Sequence, residues 1–240
     1  MQDTPRPTIL CYGDSNTHGT RANADPDARW RYRSHVRWPG NVARALKGQA
    51  RVIAEGLPGR TTVHDDPIEG AHKNGIKVLP AMLESHQPVD IVVLMLGTND
   101  LKTRFSLTPV DIARSMDRLI DVVEKSGAGR GGVAPRVLLI APVPIREVGL
   151  LGGHFAGGSE FSEHLPAHYD LLAERRGCEF LDAGAVATVD PIDGVHLTEA
   201  GHLALADAVT TKLIKMMREL AIGSSRSARA FPLPQLVRRG

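Results

Sequence analysis

The feature that most constrains this chain is an alternation. Short apolar runs recur at residues 8–12, 51–54, 91–96, 137–141 and 179–182, and stretches with helical patterning separate them. Helices are expected over 39–46, 75–85, 109–125, 166–175 and 199–220. The third is clearest. Thr108 reads as its N-cap, Pro109 as its first helical residue and Asp111 as an acid in the positive first turn, while Ile112, Met116, Leu119, Ile120 and Val123 share one face. Strands alternating with helices imply a parallel sheet with right-handed crossovers and helices on both faces. The expectation is therefore an α/β three-layer α/β/α sandwich on a five-stranded parallel sheet. At 240 residues, 42% of them apolar, one domain accounts for the chain.

Most loops in compact domains are short, so three long connections stand out: 17–38, 58–74 and 142–165. Each leaves the carboxyl end of a strand, where together they can wall a pocket. The domain is expected to span 1–220. Residues 221–240 cannot build another strand-helix unit and read as a tail, flexible or docked on a partner. A formal charge of +2, from 29 basic and 27 acidic residues, gives no reason to expect nucleic acid or a membrane surface as partner and suits small neutral substrates. The first residues lack the apolar stretch of a signal peptide, so a cytoplasmic location is expected. Cys11 and Cys178 read as reduced structural thiols, and no apolar run is long enough to cross a bilayer.

Gly13-Asp14-Ser15-Asn16 follows the first apolar run, which puts a serine where a strand ends and a helix N-terminus offers free N–H groups. Asp193-Gly194-Val195-His196 follows the fifth run, on the same side of the sheet. Nucleophilic serine chemistry needs an imidazole to take the hydroxyl proton and a carboxylate to orient it, and one tight turn can present both. Gly56-Leu57-Pro58-Gly59 follows the second run, where Gly59 can bring a backbone N–H close to a reacting oxygen. Gly97-Thr98-Asn99-Asp100 follows the third, and the Asn99 amide can donate to the same oxygen. Each segment alone also reads as an ordinary turn.

Four such segments at four strand ends, in this order, resemble the SGNH (GDSL-type) hydrolases. Their four blocks match Gly13-Asp14-Ser15, Gly59, Gly97-x-Asn99-Asp100 and Asp193-x-x-His196, over residues 8 to about 220. Within that family, Glu55 to Thr62, Asp65-Asp66-Pro67 and Met95 to Asp100 look like the bacterial arylesterase and acyltransferase branch. Two residues depart from the pattern: Asn16 replaces the usual leucine, and Glu55 stands where many relatives carry asparagine. The resemblance implies a flavodoxin-like sheet and an acyl-enzyme mechanism with Ser15 as nucleophile, His196 as base and Asp193 as its orienter. It also implies an oxyanion hole from the Ser15 and Gly59 N–H groups with the Asn99 side chain, no cofactor or metal, and a homo-oligomer. The expected function is a serine esterase of small or short-acyl esters, aryl esters or acetylated carbohydrates, with acyl transfer to alcohols as an option. Thioesterase or lysophospholipase activity is the alternative within the family. A non-catalytic module that binds acylated carbohydrate is the alternative outside it.

Other signals carry less. The G-x-G-x-x-G spacing of Gly127 to Gly132 leaves a helix and enters a strand, the reverse of a dinucleotide fingerprint. His164 and His168 lack the companions of a metal motif and read as loop histidines. Asp14, Trp38, His154 and Phe155 are the candidate substrate contacts. Trp38, His154, Phe155 and also Phe161 would otherwise close a subunit interface. Arg226, Arg229, Arg238 and Arg239 read as a solvated tail, too few to make a nucleic-acid arm.

Overall fold

A computed structural model describes residues 6–25 and 30–230. Its strands are β1 (Thr8–Gly13), β2 (Arg51–Gly56), β3 (Ile91–Met95), β4 (Arg136–Ala141) and β5 (Glu179–Asp182). All pair in parallel, in the order β2-β1-β3-β4-β5. The expected five-stranded α/β architecture is what forms. The helices are α1 (Ser15–His18), α2 (Trp38–Ala45), α3 (Gly75–Ser85), α4 (Pro109–Lys125), α5 (Gly158–Arg176) and α6 (Glu199–Ala230).

β1 and β3 are buried along their whole length, which explains why they read as unbroken apolar runs rather than alternating ones. Successive residues supply opposite faces. Leu10, Tyr12, Val92, Leu94 and Leu139 join the core under α3, α4 and α5, whereas Ile9, Cys11, Val93, Leu138 and Ile140 join the one under α2 and α6. The strand order reverses between β1 and β3, and at such a switch point the two outgoing loops diverge and leave a crevice at the carboxyl ends. That crevice holds the candidate site.

α4 has the expected boundaries, its cap closed reciprocally by Thr108 and Asp111. α5 begins eight residues before the expected start at 166. Pro166 lies inside the helix, and the buried face of Ser162, Leu165, Tyr169, Leu172 and Ala173 carries the helix past the proline's missing N–H. His164 and His168 therefore sit on a helix, not in a loop. α6 runs to Ala230, ten residues past the expected end at 220, and residues 231–240, with Arg238 and Arg239, lie outside the described residues. No helix among the described residues is long and apolar enough to cross a membrane.

Candidate active site

α1 is a single turn that starts on Ser15, directly after β1. Asp14 caps it, its carboxylate accepting from the Asn16 N–H at 2.9 Å. Ser15 keeps 5% of its surface exposed. Across the crevice, the turn at 190–196 is closed by Gly194 N–H donating to the Asp190 carbonyl at 2.8 Å and Asp190 N–H donating to the His196 carbonyl at 2.7 Å. Asp193 does two jobs there. Its Oδ1 accepts from the Val195 and His196 N–H groups at 2.9 and 3.0 Å, and its Oδ2 lies 2.6 Å from His196 Nδ1. A carboxylate at that distance holds the proton on Nδ1, so Nε2 keeps its lone pair. Burial opposes ionisation of Asp193, but the His196 hydrogen bond and charge and the two backbone donors hold it below the usual carboxylate range.

Asn16 joins the two halves. Its Oδ1 accepts from the Leu197 N–H at 2.9 Å, and its Nδ2 donates to the Val195 carbonyl at 3.1 Å. Helix α1, which begins on Ser15, is thus fastened to the backbone on both sides of His196. Among the described residues no hydrogen bond joins Ser15 Oγ directly to the imidazole; such contacts often tighten only once substrate is bound.

Arg60 ties the other strand ends together. Its guanidinium lies 4.0 Å from the Tyr12 ring centroid and donates to the Gly13 carbonyl at 2.9 Å and to the Glu55 carbonyl, while its own carbonyl accepts from Asn99 Nδ2 at 3.1 Å. The ends of β1 and β2 meet at its guanidinium, and the segment after β3 at its carbonyl. Asn99 is left with one amide hydrogen uncommitted. Gly59 has φ of +80°, and a Cβ there would run into the Glu69 carboxylate, so only glycine fits the turn. Gly97 has φ of +119°, with a Cβ position 2.5 Å from the Tyr169 hydroxyl that donates to the Leu96 carbonyl. Behind Ser15, burial pushes Asp14 up to about 6 and Asp100 up to about 7; both Asp100 oxygens accept from the Thr62 N–H.

The profile of the GDSL-like lipase/acylhydrolase family matches residues 11–204. The chain belongs to that family. It is an ester hydrolase of the SGNH type. The Mycobacterium smegmatis aryl esterase is 38% identical, with 88% of this chain and 99% of that one aligned at a TM-score of 0.83. Est24, a carbohydrate acetylesterase from Sinorhizobium meliloti, gives 38%, 88% and 100%, and 0.83. A G-D-S-L family protein from Veillonella parvula, 15% identical over 83% of this chain and 93% of that one with a TM-score of 0.57, shares the fold. A comparison with curated proteins gives no match.

All four family blocks converge on the crevice. Three expected substrate contacts do not face it. Asp14 is 1% exposed because it is committed to capping α1. Trp38 is fully buried at the start of α2, among the residues packed under α6, and Phe155 is buried in the core on the opposite face of the sheet. Their aromatic surface is used in packing. His154, next to Phe155, is exposed, and its carbonyl accepts from the Thr103 hydroxyl at 3.4 Å. The bridging roles of Asn16 and Arg60 were not expected. Asn16 was visible in the sequence only as a departure from the family's leucine.

Proposed function

We propose that this hydrolase is a serine esterase of short-acyl esters, aryl esters or acetylated carbohydrates, working through an acyl-enzyme. Ser15 Oγ attacks the ester carbonyl as its proton passes to His196 Nε2, and Asp193 stabilises the imidazolium. The developing oxyanion accepts from the N–H groups of Ser15 and Gly59 and from the free amide hydrogen of Asn99. His196 returns the proton to the departing alcohol. It then takes one from water, which attacks the acyl carbonyl, and passes it to Ser15 Oγ as the acid leaves. An alcohol in place of water would give acyl transfer.

The observation that carries this reading is the 2.6 Å contact between Asp193 Oδ2 and His196 Nδ1 on a turn that Asn16 fastens to the nucleophile's helix. The choice of aryl and acetyl esters rests on the similarity to the aryl esterase and the carbohydrate acetylesterase. The same reading takes the protein as a cytoplasmic homo-oligomer: Trp30, Ile68, Leu150 and Ile192 are exposed apolar side chains that an interface would cover. Light scattering on the purified protein tests the assembly.

The test of function is hydrolysis of p-nitrophenyl acetate, butyrate and octanoate by wild type and Ser15→Ala. The expected result is turnover strongest on acetate and abolished in the variant. A preference for octanoate would favour the thioesterase or lysophospholipase alternative. Turnover that survives Ser15→Ala would overturn the mechanism.

A further inference from the structure

The loop at 17–38 carries five arginines, Arg21, Arg29, Arg31, Arg33 and Arg37, against two acids, Asp25 and Asp27, in a chain whose net charge is only +2. Two of these arginines meet at one point. Arg31 Nε donates to the His18 carbonyl at 2.8 Å, and Arg37 Nη1 reaches the same oxygen at 3.4 Å. Among the described residues, neither has a carboxylate within ion-pair distance. One donor satisfies the carbonyl that ends α1. A second guanidinium brings like charge to like charge and needs another reason.

The place supplies one. His18 closes the single helical turn that Ser15 opens, about 5 Å further along the axis at 1.5 Å per residue. The same loop also reaches the start of α6, just after the turn that carries His196, where the Tyr32 ring packs edge-on against His202 at 5.3 Å. Arg31 is exposed and Arg37 half-buried, and both lie close enough to His18 to act on it together with His196. The surrounding field agrees. Burial first, and then the cations of Arg31 and Arg37 and the nearby His196, pushes His18 down to about 4, and Arg37 is lowered by burial and by Arg31.

We propose that Arg31 and Arg37 form an anion subsite that binds a carboxylate or phosphate on the alcohol portion of the ester. The proposal rests on the esterase reading and names its substrate class: acyl esters of acidic phenols or acetylated acidic sugars, in which one ring separates the ester oxygen from the anion. Two planar guanidinium forks with free N–H groups match both kinds of oxyanion. The charged group sits one helical turn from the nucleophile and holds the leaving group without touching the acyl carbon.

The test has a kinetic and a binding arm. In the first, kcat/KM is measured for 4-acetoxybenzoate and for its methyl ester, with wild type, Arg31→Gln and Arg37→Gln. The ratio of acid to methyl ester cancels general damage to the enzyme, and it is expected to fall about tenfold in each variant. In the second, calorimetry follows 4-hydroxybenzoate, 4-hydroxyphenyl phosphate and neutral methyl 4-hydroxybenzoate binding to Ser15→Ala protein with and without Arg31→Gln. At least one anion should bind more tightly than the neutral ester and lose that advantage with Arg31, the tighter anion identifying the preferred group. An unchanged kinetic ratio with Ser15-dependent turnover of the methyl ester overturns the subsite and leaves the esterase standing. Absence of Ser15-dependent turnover overturns the esterase reading, and the binding arm then decides the subsite alone: equal binding of all three ligands overturns it.

Discussion

Asn16 holds His196 between the two ends of its amide, one bonded to the Leu197 N–H and the other to the Val195 carbonyl, across 181 and 179 residues of sequence. Both partners are buried. Asn16→Leu, which restores the residue usual in the family, leaves that N–H and that carbonyl unsatisfied, at a cost of about 1–3 kcal/mol each where no water replaces the amide. The expected outcome is a lower Tm together with a kcat on p-nitrophenyl acetate that falls more than KM rises, because the base loses its register with Ser15. Unchanged Tm and kcat would mean that the Asp193 caps hold the turn unaided.

Asn99 donates one amide hydrogen to the Arg60 carbonyl at 3.1 Å, and the proposed mechanism gives the other to the oxyanion. Losing one oxyanion donor costs roughly 2.7–4 kcal/mol of barrier, or about 10²–10³ in kcat. Asn99→Ala should therefore turn over far more slowly with KM little changed. A kcat within a few-fold of wild type would remove Asn99 from the oxyanion hole and leave it as a tether for Arg60.

The buried titratable groups pull stability in opposite directions with pH. Asp14 and Asp100, raised by burial to about 6 and about 7, hold protons in the folded state that the unfolded chain has already released. Their contribution is full below the ordinary carboxylate pKa and is lost as pH rises through the folded values. His18 and His202, lowered to about 4 mainly by burial, do the reverse: the unfolded chain holds protons that the folded one has shed, and stability rises with pH up to the ordinary histidine value of 6.5. Above that value the histidine effect is spent and Asp100 dominates. Urea unfolding should show stability declining between about pH 6.5 and 8, with a slope of at most about 1.4 kcal/mol per pH unit for one proton. Asp100→Asn, whose amide oxygen still accepts from the Thr62 N–H, should flatten that decline. The same slope in the variant would assign the proton elsewhere.

The fold was legible because its signal is local. Residues 108–125 carry cap, first-turn proline and apolar face within 18 positions, and the buried strands are continuous apolar runs. The four candidate segments share one side because Ser15, Gly59 and Asn99 follow β1, β2 and β3 within a few residues and Asp193 to His196 lies between β5 and α6, and a parallel sheet sends these connections to one edge. What stayed hidden depends on contacts between distant residues. Pro166 reads as a helix start, and only the packing of Ser162 and Leu165 carries α5 through it. Arg60 reads as one charge in a loop until three strand ends are seen to meet on its guanidinium and carbonyl. Aromatic residues beside long loops suggest a pocket wall, but nothing local distinguishes a ring facing the crevice from one turned into the core.

Trp38 makes that distinction measurable. Its ring is fully buried in the cluster under α6, and its Nε1 has no hydrogen-bond partner. Trp38→Phe removes an unsatisfied donor while leaving a smaller ring in the same space, so gain and loss offset in part. Trp38→Ala removes the whole ring and should cost about 3–5 kcal/mol, the range for truncating a large aromatic in a core. If the ring only packs, KM for short p-nitrophenyl esters measured well below Tm stays at the wild-type value in Trp38→Phe, and the loss appears in urea unfolding alone. A KM shift in Trp38→Phe without a matching loss of stability would return the side chain to the wall of the acyl site.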